Sequence, residues 1–104
     1  MRRDELDALV REAVQRVRLA IGEIVFRDTV KEGVVVDRRV KNPDSIERAV
    51  QVYGKAQQLL GRARMLDGTT EGAQREDRPF IRNAHLAMLD LWREIEAARV
   101  LAER

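Results

Sequence analysis

Residues 79–102 read PFIRNAHLAMLDLWREIEAARVLA, and this stretch decides the fold. Its apolar residues Ile81, Ala84, Met88, Leu91, Ile95, Ala98 and Ala102 step by three and four without a miss. That spacing lines one side of a long helix. An unbroken stripe of this kind needs another helix against it. The pattern recurs twice upstream. Leu6, Val10, Ala13, Val17, Ala20 and Ile24 mark a first helix starting near Asp4, widened by Val14 and Ile21. Ile46, Ala49, Tyr53, Ala56, Leu60 and Ala63 mark a second over about 43–66, widened by Val52, Leu59 and Leu66.

Start and stop signals agree with these stripes. Asp4, Glu5 and Asp7 place carboxylates at the positive end of the first helix. Asn42 can cap the second helix, Pro43 fits its first position and Asp44 favours its dipole. Gly68 ends it, residues 68–77 form a polar loop, and Asp77 and Pro79 open the third helix. The expected fold is a single domain over 1–104, mainly α, with three long helices in an antiparallel bundle.

Between the first two helices the helical count fails, because the next stripe position after Ile24 is Asp28. A period of two fits instead over about 24–40. It puts Ile24, Phe26 and Val30 on one face with Val34, Val36 and Val40. It puts Val25, Arg27, Thr29 and Lys31 on the other with Val35, Asp37, Arg39 and Lys41. Lys31-Glu32-Gly33 then reads as a three-residue loop, a type I turn with a G1 bulge at the glycine. The competing reading continues the first helix to Glu32 and stops it at Gly33. The density of β-branched residues favours a short β-hairpin. A lone hairpin is marginal in water, so it must pack on the helices or on a partner chain.

Composition narrows the function classes. The 104 residues include 37% charged and only 4% aromatic side chains, with a net charge of +2, too small to imply nucleic acid by itself. The absence of cysteine removes disulfides, thiolate nucleophiles and thiolate metal sites, and suits a cytoplasmic protein. No apolar run reaches the roughly 18 residues of a membrane span. His85 is the only histidine, so no second one shares a zinc, and no cofactor is expected. A helical di-iron site needs Glu three residues before its His, and that position holds Arg82. The six glycines are dispersed and form no phosphate loop.

One short segment, Arg78-Pro79-Phe80-Ile81-Arg82-Asn83-Ala84-His85, is faintly similar to the motif of HEPN-type ribonucleases, which pair an Arg with a following His. The resemblance covers eight residues. It implies His85 as general base and Arg78 as a phosphate-stabilising cation. The Arg82-Asn83 pair stands too close to His85 for the usual pattern. The chain is not assigned to that family, and a ribonuclease is the third reading, behind two non-enzymatic ones.

The second constellation is basic. Arg48, Lys55 and Arg62 fall seven apart along the second helix, and Arg38, Arg39 and Lys41 lie just upstream. Residues 37–64 hold seven basic side chains against three acidic ones, whereas residues 1–36 balance. The line suits a solvated face, an acidic partner surface, or nucleic-acid phosphates. The last is the second reading, an accessory nucleic-acid-binding protein.

The third constellation is an apolar surplus. Leu19 and Phe26 in the first third of the chain, and Leu86, Leu89 and Val100 in the last helix, point away from the stripes, with Trp92 at the edge. One small core cannot cover helices that are apolar nearly all round, and such a surface left bare invites aggregation. The first reading is therefore a non-enzymatic, self-associating helical module, most simply a homodimer, that serves a protein partner as an accessory subunit.

Overall fold

The computed structural model describes residues 3–67 and 78–103. Helix α1 spans Arg3–Gly22, strand β1 Phe26–Lys31, strand β2 Val34–Val40, helix α2 Asp44–Asp67 and helix α3 Arg78–Ala102. The chain is thus mainly helical, with a small antiparallel hairpin between α1 and α2. The polar loop expected over 68–77 lies outside the described residues, as does Gly68 as a helix stop.

Each pair of helices is in contact, and the three stripes fill two apolar clusters between them. The larger gathers Leu6, Val10, Val17, Ala56, Leu60, Ile81 and Met88, with Val14 and Leu91 beside them. The smaller joins Ala20, Ile24, Ile46, Ala49, Ile95 and Ala98 at the hairpin end. Leu6, Val17, Leu60, Met88 and Ile95 are fully buried. Each contributes about 1.5–3 kcal/mol by leaving water. Of the stripe expected on α3, only Ala102 is exposed, because it falls in the last, fraying turn. Ile24 stays buried although α1 stops at Gly22. The amides of Glu23 and Ile24 bond back three residues, to Ala20 and Ile21. This tighter turn keeps Ile24 on the core side as the chain leaves the helix.

The hairpin forms, and its loop is shorter than the sequence suggested. Lys31 pairs with Val34, so only Glu32 and Gly33 connect the strands. Both have positive φ, 52° and 78°, the signature of a type I′ turn, whose twist matches that of the strands. The irregularity sits in β2 instead. Thr29 pairs with Asp37 and Val30 with Val35, leaving Val36 as the bulged residue. As a result Val34 and Val35 exchange the faces expected for them. Alternation from the base puts Val40, Arg38 and Val36 with Phe26 and Asp28, and the pairing to Val30 adds Val35. The opposite face carries Arg27, Thr29, Lys31, Val34, Asp37 and Arg39.

Only the base of the hairpin meets the helices. Val40 packs on the smaller cluster and β2 touches α3. Every residue of β1 is exposed, and so are Val34, Val35 and Val36. The hairpin therefore stands clear of the helices on both faces. The molecule measures 58 × 25 × 17 Å, longer than its 25-residue helix α3 could span alone at roughly 37 Å.

Candidate interaction surface

Asn42 ties together the junction of α1, hairpin and α2. Asn42 Oδ1 accepts from the Val25 amide at 2.8 Å, and Asn42 Nδ2 donates to the Glu23 carbonyl at 2.9 Å. Asn42 was expected to cap α2 with this amide. Its backbone carbonyl takes that role, accepting from the Ser45 amide at 2.9 Å and from Ser45 Oγ at 2.6 Å. The side chain is then available to the two backbone groups where α1 gives way to β1. The Lys41 amide donates to the Val25 carbonyl at 2.8 Å and closes the base. Arg48 reaches Glu23 across the same junction at 3.3 Å.

Further out, the apolar face of the hairpin is organised around an ion pair. Arg38 Nε and Nη2 donate to the two Asp28 oxygens at 2.6 and 2.9 Å. The same guanidinium lies 5.3 Å from the centre of the Phe26 ring, within cation–π range. Its hydrogen bonds, with its positive charge, hold the Asp28 carboxyl below the usual range, while Asp28 raises Arg38. Past this pair, Val30, Val35 and Val36 sit in solvent, each at least half exposed.

The apolar surplus named from the sequence splits in two. Leu86 and Leu89 are 52% and 53% exposed, Val100 55%, Leu19 61% and Phe26 40%. Among them, Phe26 has the Arg38 guanidinium over its ring. Leu86, Leu89 and Val100 share the outer side of α3, opposite the buried stripe, with Arg93 between them. Trp92 differs. It is half-buried, set against Tyr53 with ring centres 4.8 Å apart and planes tilted by 40°, and packs on the smaller cluster. Tyr53 in turn accepts a 2.7 Å hydrogen bond from Gln57.

Three of the six cations named from the sequence sit in surface ion pairs. Arg38 is bound to Asp28, Arg39 to Asp37 at 3.2 Å, and Arg48 to Glu23. Lys41, Lys55 and Arg62 are exposed and enter none of the ion pairs among the described residues. Lys55 and Arg62 flank a shallow hollow with Gln58 and Leu59. His85 is half-buried on α3, and the Arg78 side chain lies outside the described set. Among the described residues no three acidic or histidine side chains gather as a metal site. No described helix is long and apolar enough to cross a membrane.

Two features of this surface escaped sequence reading. The Asn42 clamp has no local signature, since its partners lie 17 and 19 residues away. The valine cluster depends on a bulge that alternation alone does not place. No protein-family model, no curated protein and no solved structure matches the chain.

Proposed function

We propose that this chain is a non-enzymatic, self-associating helical module, a homodimer that acts as an accessory subunit of a larger cytoplasmic assembly. In this reading the helices run up, down and up as an antiparallel bundle. The observation that carries it is the unshared apolar surface: Leu19, Leu86, Leu89 and Val100 on the helices and Phe26, Val30, Val35 and Val36 on the hairpin are all exposed. Monomeric domains rarely leave such patches bare on two elements at once. Light scattering on a sizing column tests the reading. The intact chain should elute with twice the 12.0 kDa of one copy. A Leu86→Ser/Leu89→Ser variant should keep its helical signal and elute with one. An intact chain that elutes as one copy removes the reading.

A second reading keeps the exposed cations of α2. Lys55 and Arg62, without described carboxylate partners, suit phosphate contacts of an accessory nucleic-acid binder. Retention of single- or double-stranded DNA or RNA at low salt, lost steeply as salt rises, would support it. No retention at low salt would exclude it.

A further inference from the structure

We propose that the two bare patches cover each other between copies: the hairpin of one copy lies along the outer side of α3 of a second, and the second copy's hairpin does the same in return. The inference rests on the self-association proposed above and adds which surfaces meet.

Four observations point to this pairing over hairpin on hairpin or α3 on α3. The first is position. The hairpin leaves the domain at the end where Val40 packs with Ile95 and Ala98, the C-terminal end of α3. A twofold axis at that end sends each hairpin back over the last turns of the other copy's α3. The base residue Phe26 then meets the partner's Val100, and the tip residues Val30, Val35 and Val36 meet the partner's Leu89 and Leu86. The second is length. A seven-residue strand extends roughly 23 Å, and the 14 steps from Leu86 to Val100 rise roughly 21 Å.

The third is charge. Residues 26–41 hold five basic against three acidic side chains, while residues 81–103 hold three basic against four acidic. Arg27 and Lys31 lie on the hairpin face turned away from α3, so this complementarity acts at long range and not through contact pairs. Edge-to-edge pairing through β1 would instead bring Arg27 and Lys31 of both copies together, and through β2 the Val36 bulge breaks the outer ladder. The fourth is extent. A twofold exchange buries two patches on each chain. One hairpin face or one helix side supplies roughly half of the about 800 Å² per partner that a stable interface needs.

The natural chain contains no cysteine, so introduced thiols report only the contacts they are placed to report. Two chains, Val35→Cys and Leu89→Cys, are co-expressed, purified and mildly oxidised. The expected product is the mixed disulfide between the two variants, with little of either homodimeric disulfide. Val30→Cys replaces Val35→Cys if the latter disturbs the turn end of the hairpin. A dominant Leu89→Cys homodimer would place α3 on α3, and a dominant Val35→Cys homodimer would place hairpin on hairpin. Either result overturns the exchange while leaving self-association standing. A dimeric mass with no cross-link in any combination overturns it as well. A monomeric mass removes the self-association reading and the exchange together.

Discussion

The side chain of Asn42 does the most for its size. It satisfies the Glu23 carbonyl and the Val25 amide where neither helix nor ladder reaches them. Asn42→Ala should cost about 0.5–1.5 kcal/mol, the net worth of a typical hydrogen bond, because both partners are exposed and water can take the place of the amide. Urea unfolding measures the loss, and amide exchange should quicken first at Val25 and Lys41. Asp28 gives a pH signature at the same scale. Its folded pKa is depressed by Arg38, so its contribution is present above the ordinary carboxylate value. That contribution is lost as pH falls through the lower folded value. Hairpin chemical shifts near Phe26 and Val36 should therefore move on acidification below about pH 4, and Asp28→Asn should abolish the movement. Neither role was legible in the sequence. Asn42 next to Pro43 reads as a helix cap, and nothing local reveals that its partners lie on the far side of a hairpin.

The hairpin is an element whose existence the sequence announces and whose register it does not. Valine density and the failure of the helical count at Asp28 point to strands. Loop length was ambiguous because Lys31 can end β1 or begin the loop, and both choices keep Gly33 at positive φ. Backbone twist decides it: a two-residue type I′ turn suits the strands, at the expense of putting Glu32 at a φ of 52°. Two opposite predictions follow from the positive φ of Glu32 and of Gly33. Glu32→Asn should stabilise the hairpin by about 0.5–1 kcal/mol, since Asn tolerates this region better than Glu. Gly33→Ala should destabilise it by about 1–2 kcal/mol through the backbone, because no atom lies within 4 Å of an added Cβ. Thermal melts followed on the hairpin's own amide resonances separate the two.

At the scale of the molecule, the buried half was readable and the exposed half was readable only in part. Three-and-four stepping placed nearly every core residue, because each helix stripe repeats its signal six or seven times over. Met88→Ala, at the middle of the larger cluster, should cost about 2–5 kcal/mol in chemical denaturation. Trp92 was harder to place, since an aromatic at the stripe edge can turn either way. Tyr53 draws it inward. The outward residues Leu86 and Leu89 lie where the helix count put them, but one chain's sequence does not say what meets them. Sedimentation equilibrium of the intact protein at micromolar concentration addresses that most directly. The account predicts a mass of two 12.0 kDa chains, and a mass of one chain would contradict it.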